Sequence, residues 1–474
     1  MPSRTEPAQE RASERAGIGR TAEKVAYWLL VGCVALAPLP FGSTDPVAVC
    51  VEVIVLGLAV IFSRRDPRQP IDPWLLVFLV ALAVAYLLVF AVQLDWLGIS
   101  KQYPDPVWDR AGQLLDQSLA AIPAIAWGQQ YWALLNPLAA LLAITSSYLL
   151  CWDRDRAHRL LLVAGGACVT YAVIGIVFYL LLPDYVLWRK KTAHVGYLTA
   201  TFLNRNTAAV YFAGGGLIWL LIAMRRLSAY LPDGDRSAVF RTILHSLPRR
   251  VLYPTIALAI CIQAMLFTGS RAGIMLGLFV CAASLLVLKW RKVRGKLLAF
   301  VLGGGLIAVL LVQTLGVDRF QQYGLSDYSR LATYRTTIAM IIDRPFFGWG
   351  LGAFAWAYPP NRSADVSIIG VWDRAHNSWL ELASEGGLVL AAIVGAGWLY
   401  ILYRLMRGVL DRHRDRHIPL AALGFVTLGL CHSLIDFSLQ IPGFLIVLGA
   451  IAGAGLAQSV RRRRRSSARS DGVS

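Results

Sequence analysis

Apolar residues are concentrated in blocks of roughly 16 to 23 residues, which alternate with polar segments along most of the chain. A helix needs about this length to cross the hydrocarbon core of a bilayer. Within lipid, every backbone N–H and C=O must be bonded inside its own segment, and the alternating pattern of a membrane barrel is missing from the sequence. The pattern therefore predicts an all-α, polytopic transmembrane helical bundle of about twelve spans.

We place these spans by the positions of the apolar blocks. The predicted bounds are 25–41, 47–62, 74–92, 132–151, 160–182, 208–224, 251–267, 272–288, 297–315, 388–403, 418–435 and 444–457. The polar residues before Val25 lack the small-residue cleavage site of a signal peptide, so we interpret 1–24 as a basic tail. Residues 25–460 then form one transmembrane domain, and 461–474 form a second basic tail.

Three loops on one side of the predicted bundle are long, and long loops without low-complexity sequence usually carry function. They are 93–131, 183–206 and 316–387. The last joins spans 9 and 10 and contains helical signals as well as a glycine-rich turn at 348–352. This loop is the first place where we expect chemistry.

The distribution of charge explains why the chain is so basic. The formal net charge is +18, which by itself would suit a nucleic-acid partner. With the N-terminus inside, however, the predicted cytoplasmic segments hold 33 of the 46 Lys and Arg residues, and 13 lie outside. This asymmetry is typical of membrane topology, and the run Arg461–Arg465 suits anionic lipid headgroups. We therefore predict cytoplasmic termini, membrane lipids as partners and no nucleic acid.

Several common catalytic motifs are missing from the sequence. All seven cysteines fall in apolar spans or at their ends, without metal-ligand spacing. The sequence has no Walker-type phosphate loop, no Gly-x-Ser-x-Gly elbow and no Asp-x-Asp pair in the outside loops. If the protein is an enzyme, its donor is therefore neither ATP nor a nucleotide sugar, and we predict no metal ion or other cofactor.

Three arginines on the outside need an explanation beyond topology. Arg205 lies between Asn204 and Asn206 just before span 6, Arg271 lies in the tight turn between spans 7 and 8, and Arg335 begins an amphipathic segment of the long loop. A guanidinium fork matches phosphate oxygens and stays charged, so converging arginines would suit a lipid-linked diphosphate. Snorkelling or structural ion pairs remain the alternative for each.

His376 precedes span 10 and is a candidate general base, because imidazole exchanges protons near neutral pH. Trp379 or Glu381 could orient its ring. Glu381 and Glu385 are four residues apart, so one helix face could present both carboxylates. The alternative is a histidine that is simply hydrogen-bonded within its loop.

Ionisable residues inside a membrane are functional candidates by default. His432 and Asp436 are four residues apart in span 11, which predicts that they share one helix face near its outer end. A structural hydrogen bond would explain them equally well. Glu52 in span 2 is a similar case without an evident partner.

Four local signatures resemble the bacterial O-antigen ligase and O-antigen polymerase superfamily. They are Thr201–Thr207, Gly269–Gly273, Arg335 together with Arg344–Phe354, and His376–Glu381. The segment His432–Pro442 is also similar to a stretch of proteobacterial members. The resemblance covers roughly 196–442, whereas the first 180 residues match in hydropathy alone.

The resemblance implies a glycosyltransferase of the GT-C type in the bacterial inner membrane, with a periplasmic, metal-independent and inverting active site. Its donor would be a glycan on undecaprenyl diphosphate, and its acceptor lipid A–core or a growing polysaccharide. By position, His376 would be the base, and Arg205, Arg271 and Arg335 would bind the diphosphate. The supporting residues implied by the same motifs are Asn204, Asn206, Asn377, Glu381, His432 and Asp436.

Other functions remain open at this point. We place an O-antigen ligase first, and a polymerase of O-antigen or exopolysaccharide second. Twelve helices with cytoplasmic ends also suit a transporter or a flippase for lipid-linked oligosaccharides, although the long outside loop with His376 suits one poorly. A peptidoglycan polymerase of the shape–elongation–division type would have a similar loop, but its usual carboxylate motif is not evident.

Overall fold

The computed structural model of the chain describes residues 6–64, 69, 72–98, 104–229, 248–289, 328–364, 366, 372–412 and 415–460. Helices dominate these ranges, which confirms the predicted all-α class. The strands found there are two short ones, β1 Tyr185–Val186 and β2 Arg189–Lys190, which pair antiparallel.

Most helices of the described ranges overlap the predicted apolar blocks, although α1 begins at Glu6, well before the predicted start at Val25. In chain order they are α1 Glu6–Leu36, α2 Pro46–Phe62, α3 Pro73–Gln93, α4 Pro106–Leu115, α5 Gln129–Ala133, α6 Leu135–Leu150, α7 Arg154–Leu181, α8 Arg205–Ser228, α9 Arg249–Phe267, α10 Arg271–Lys289, α11 Tyr328–Asp343, α12 Phe354–Asn361, α13 Ser378–Asp411, α14 His417–His432 and α15 Pro442–Ser459. Two 3₁₀ turns lie at Phe41–Ser43 and Ser438–Gln440. Each predicted span overlaps a helix except the ninth, 297–315, which lies outside the described residues.

Eight helical segments in the described ranges are long and apolar enough to cross a bilayer. They are α3, α5 with α6, α7, α8, α9, α10, α13 and α15. The apolar helices α2 and α14 are shorter, with 17 and 16 residues. The chain is therefore a multi-pass membrane protein, as the sequence predicts.

Three helices begin at an Asp-Pro pair, which explains where they start. Asp45, Asp72 and Asp105 are the N-cap residues of α2, α3 and α4, and each carboxylate accepts a hydrogen bond from a backbone N–H of the first turn. Proline follows each Asp directly, because its fixed φ suits the first helical position. A backbone N–H at that position would have no partner within the helix, so proline loses nothing by lacking one.

The centre of the bundle consists of α8 and α15, whose apolar windows are 89% and 94% buried. Small residues make this possible, since they allow helix backbones to approach closely in a membrane. A Cβ added at Gly453 of α15 would lie 2.3 Å from the carbonyl oxygen of Ile144 on α6. The N-terminal ends of α8 and α15 lie at the candidate site described below.

Helix α13 is bent sharply at Gly387, where φ is 85° and ψ is 166°. The segment Ser378–Gly386 therefore lies at the end of the bundle that holds the candidate site, which we call the site end. The predicted span begins directly after the bend. A side chain at Gly387 would meet the carbonyl oxygen of Phe346 at 2.0 Å. Only glycine accommodates both the positive φ and this close backbone contact.

The glycine-rich turn 348–352 packs on the first part of α13 and is fixed by a side chain from α3. Gln93 is almost fully buried, and its amide donates to the carbonyl oxygens of Phe347 at 2.6 Å and Glu385 at 2.7 Å. Its own oxygen accepts from the N–H of Leu351 at 2.8 Å. One buried side chain thereby joins three distant segments of the chain.

Arg344, which precedes the glycine-rich turn, contacts the loop after α3. The guanidinium of Arg344 lies 2.8 Å from Asp105 Oδ2 and donates to the carbonyl oxygen of Pro123 at 3.1 Å. It also stacks over the ring of Trp349 at 3.9 Å. The described part of loop 93–131 is therefore docked onto the segment that resembles the ligase superfamily.

Two sequence predictions about ionisable residues in spans are wrong. Helix α14 ends at His432 and not at Ile435, so His432 and Asp436 do not share one face of a helix. The turn after His432 leads into the 3₁₀ turn and the proline that begins α15. Glu52 is not without a partner either, because Ser43 Oγ donates to its carboxylate at 2.5 Å.

Candidate active site

Asp436 lies at the centre of the candidate site, buried at the site end of α8 and α15. Its carboxylate accepts hydrogen bonds from Asn204 at 3.3 Å, from Asn206, and from the N–H of Phe437 at 2.7 Å. Asn204 is also the N-cap residue of α8, since its side chain accepts from the N–H of Asn206 at 2.7 Å. The capping that starts α8 therefore also sets the position of the Asp436 carboxylate.

His376 lies beside this carboxylate. Its Nδ1 is 4.0 Å from Asp436 Oδ1, and its ring makes edge contacts with Trp372 at 5.6 Å and Phe437 at 5.2 Å between centroids. The side chain is 27% exposed, so the imidazole is held on one side and accessible on the other. The separation is longer than a hydrogen bond; in enzymes, hydrogen bonds between catalytic groups are often long until substrate binds.

The backbone around His376 is held in an uncommon conformation. Its φ is +53°, which an L-residue adopts at a cost, and Tyr334 of α11 donates to its carbonyl oxygen at 2.9 Å. Asn377 caps α13 by accepting from the N–H groups of Trp379 and Leu380, at 3.0 and 3.1 Å. Strained residues that are fixed from several sides are frequent at functional sites.

The start of α13 is joined to the turn after α14 by hydrogen bonds. Ser378 N–H donates to Ser433 O at 2.9 Å, and Ser378 Oγ donates to Asp436 O at 3.2 Å. The indole of Trp379 donates to Ser433 Oγ at 2.8 Å. These bonds bring His376 and Asp436, 60 residues apart in the sequence, to one place.

Glu381 binds the two residues that precede His376 and does not contact the imidazole. It is fully buried, pairs with Arg374 at 3.0 Å, and accepts from the N–H of Ala375 at 2.7 Å. Trp379 is likewise directed at Ser433. The groups beside the imidazole are instead Asp436, Trp372 and Phe437, none of which the sequence had suggested as its partner.

Arg205 and Arg271 lie on neighbouring elements of the site. The guanidinium of Arg205, in the first turn of α8, stacks over the ring of Tyr197 at 4.1 Å. A Cβ built on Gly269 would lie 2.7 Å from that ring and 3.5 Å from Arg205 Nη1. The turn that carries Arg271, whose side chain is exposed, therefore packs against Tyr197 and Arg205.

Tyr197 was not singled out by the sequence, because a lone aromatic residue in a loop carries no motif. In the structure it is held by Lys191, whose ammonium donates to Tyr197 O at 2.7 Å. Burial lowers the pKa of Lys191, and Asp184 acts in the opposite direction. The ring of Tyr197 thus supports the Arg205 guanidinium by stacking against it.

One known family is similar to part of the chain. Residues 256–395 match the family model described as O-antigen ligase. This region of the chain is similar to the O-antigen ligase family. No curated protein matches the chain.

The region similar to the O-antigen ligase family includes Arg271, Arg335 and His376, whereas Asn204, Arg205 and Asp436 lie outside it. The fold joins the two sets, since Asp436 contacts His376, and Arg205 packs on the turn before Arg271. The site is thus assembled from segments on both sides of the matched region.

The remaining predicted residues lie around this site in different roles. Arg335 is exposed on α11, one residue after Tyr334, which binds the His376 carbonyl. His432 is buried and bonded through Nδ1 to Ser438 Oγ at 2.9 Å, which is the structural role left open by the sequence. Within the described ranges, no group of three His, Cys, Asp or Glu side chains could hold a metal ion.

Proposed function

We propose that this protein is a glycosyltransferase of the O-antigen ligase type. It would transfer a glycan from undecaprenyl diphosphate to a sugar hydroxyl of lipid A–core, without a metal ion and with inversion at the anomeric carbon. The observation that carries the proposal is that His376 lies beside Asp436, which binds Asn204, and that the next residue, Arg205, packs on the turn before Arg271.

The arrangement matches what the two bond changes need. Because Nδ1 of His376 faces Asp436, we assign Nε2 as the nitrogen that accepts the proton of the acceptor hydroxyl. The hydroxyl oxygen forms a bond to the anomeric carbon, and the bond from that carbon to the diphosphate oxygen breaks. The negative charge that develops on the leaving diphosphate is stabilised by Arg205 and Arg271, with Arg335 as a further candidate.

Asp436 holds the imidazole in this tautomer and stabilises the imidazolium that forms. Its carboxylate is itself fixed by three donors, so it does not have to reorganise during the reaction. Cleavage of the bond between the anomeric carbon and the diphosphate supplies the driving force, so no nucleotide has to be hydrolysed.

Reconstitution tests the proposal directly. Purified protein in liposomes, given a glycan on undecaprenyl diphosphate and lipid A–core, should form the joined product without ATP or an ion gradient. If a second lipid-linked glycan is the acceptor that reacts, the protein is a polymerase of the same superfamily. Movement of the donor across the bilayer without transfer would instead identify a flippase and contradict the proposal.

We further propose that the site end of the bundle is periplasmic, on the basis of the distribution of Lys and Arg in the sequence. After replacement of the seven native cysteines, Lys190→Cys, exposed on β2, should react with a membrane-impermeant maleimide in cells whose outer membrane is permeabilised. Arg407→Cys, exposed on the far part of α13, should react only after the inner membrane is broken. The reverse labelling pattern would invert the topology.

Tyr197 should matter for donor binding because its ring supports Arg205. A cation–π contact contributes about 0.5–2 kcal/mol, so we expect Tyr197→Leu to lower kcat/KM for the donor about tenfold. Tyr197→Phe, which keeps the ring, should remain close to the wild type. Phe41→Leu is the matched control, because the Phe41 ring lies 4.2 Å under the guanidinium of Arg189, outside the site. An equal loss in both Leu variants would show that the effect is general.

A further inference from the structure

Helix α4, in the loop between α3 and α5, has one apolar face and one polar face. Its ten residues follow one another at about 100° around the helix axis. The apolar residues fall within one half of the circumference: Val107, Trp108, Ala111, Leu114 and Leu115. Asp109 and Gln113 lie on the opposite half. The helix is therefore amphipathic, although it is too short to cross a membrane.

One edge of the apolar face packs on the bundle through Trp108. Its ring contacts the buried cluster that includes Phe90 and Leu94, at the end of α3, and its indole N–H donates to Ala124 O at 2.9 Å. This contact places α4 beside the last turn of α3.

The rest of the apolar face is uncovered within the described ranges. The exposed fraction is 81% for Leu114, 60% for Leu115 and 38% for Val107. Neighbouring apolar side chains that are exposed on one face are typical of a surface that binds a partner or a membrane. The position of α4 indicates which of these it meets.

The last turn of α3 lies at the edge of the hydrocarbon layer. Helix α3 has 21 residues, and a helix of this length extends about 30 Å, the thickness of the hydrocarbon core. The exposed rings of Trp96 and Tyr131 each lie 5.1 Å from the ring of Phe90, between centroids, and Trp127 is exposed nearby. Trp and Tyr are enriched where a membrane meets water. Helix α4 packs on the same Phe90 cluster, so it lies at the depth of the lipid headgroups.

We propose that α4 is an interfacial helix whose apolar face inserts into the lipid layer at the site end. Helices of this kind lie in the plane of the membrane, with the apolar face about 5–10 Å deep at the boundary of headgroups and acyl chains. Val107, Leu114 and Leu115 would be the inserted side chains. The inference does not depend on the proposed function.

A second protein is a poorer match for this face. A helix of ten residues is about 15 Å long and about 10 Å wide, whereas a stable protein interface needs roughly 800 Å² from each partner. The lipid layer, in contrast, is continuous with the surfaces of α3 and of the segment α5–α6, the membrane-crossing helices on either side of the loop.

Insertion of α4 would fix the glycine-rich turn relative to the membrane surface. Asp105 caps α4 by accepting from the N–H of Val107 at 2.9 Å, and its other carboxylate oxygen lies 2.8 Å from Arg344. On the far side of α4, the N–H of Ile125 donates to Trp349 O at 3.0 Å. The loop is thereby bound to the turn both before and after the interfacial helix.

Spin labels on α4 test the inference. After replacement of the seven native cysteines, Leu114→Cys and Leu115→Cys carry the label on the apolar face. Gln113→Cys is the matched control, because Gln113 is exposed on the polar face of the same helix. Each protein is placed in nanodiscs of phosphatidylethanolamine and phosphatidylglycerol, which leave both sides of the bilayer accessible. Collisions of the label with oxygen, which concentrates in lipid, are compared with collisions with a water-soluble nickel chelate.

We expect oxygen to collide more than the nickel chelate at Leu114 and Leu115, and the order to be reversed at Gln113. More nickel collisions at all three positions would place α4 in water. Few collisions with either reagent at Leu114 and Leu115 would show that protein covers the face. An oxygen excess at all three positions would mean that the whole helix is embedded. Each of these three results contradicts an interfacial helix.

Photo-crosslinking in cells provides a second measurement that retains the native cysteines, for the case in which the cysteine-free protein does not fold. Benzoylphenylalanine at Leu114 should crosslink to phospholipid, detected by mass spectrometry of the purified protein, and the same group at Gln113 should not. A crosslink from position 114 to a second polypeptide, or the lack of any lipid adduct there, would overturn the inference.

Discussion

Replacement of His376 should lower the rate of glycan transfer by about 10²–10⁴-fold, the contribution that a positioned general base typically makes. The acceptor hydroxyl is a poor nucleophile at neutral pH, and the imidazole beside Asp436 is the group we assign to take its proton. Single-turnover transfer in liposomes, with donor binding measured separately, should show the loss in the chemical step and not in affinity for the donor.

The choice of substitution matters because His376 has a φ of +53°. Alanine in that conformation would add backbone strain to the loss of the base, whereas asparagine tolerates it better. We therefore take His376→Asn as the cleaner test of the base, and expect it to lose transfer as His376→Ala does. His194→Asn is the matched control, since His194 has a φ of +58° in another loop at this end and should be dispensable. Transfer by His376→Asn at a rate near the wild type would exclude the assignment.

Arg205→Lys and Arg271→Lys should each lower kcat by about 10²-fold, the lower end of the loss seen when one preorganised donor to a developing anion is removed. Lysine keeps the charge but has no planar fork that can bind two phosphate oxygens at once. The rate of transfer at saturating donor is the measurement, because the charge on the diphosphate grows as the glycan departs.

Arg189→Lys provides the comparison for these variants. Arg189 also stacks over an aromatic ring, that of Phe41 at 4.2 Å, but it lies on the exposed hairpin and not at the Arg271 turn. We expect this variant to keep its activity. A loss as large as that of Arg205→Lys, or a fully active Arg205→Lys, would be evidence against a specific diphosphate site.

The architecture could be predicted from the sequence because a membrane imposes few solutions. Apolar blocks of span length have to be helices, and prolines such as Pro46 and Pro73 mark where helices begin. The bend at Gly387 was less visible, since a glycine inside an apolar helix is common in membranes. It depends on a contact with Phe346 that no local pattern encodes.

The candidate site was predictable only in part. His376, Arg205 and Arg271 stood out because their residue types suit the chemistry and their motifs resemble a family. The contact of His376 with Asp436 could not be predicted, because it arises from hydrogen bonds between the start of α13 and the turn after α14. A period of four residues had instead suggested His432 as the partner of Asp436, and the end of α14 at His432 removes the basis for that pairing.

The three hydrogen bonds of Gln93 have a consequence for biosynthesis. Gln93 and Glu385, which they connect, are 292 residues apart. At a synthesis rate of about 5–20 residues per second, the ribosome adds Glu385 roughly 15–60 s after Gln93. During that interval α3 has entered the membrane with a polar amide whose partners do not yet exist. The Gln93 amide therefore finds the last of its partners only when α13 is made, late in translation.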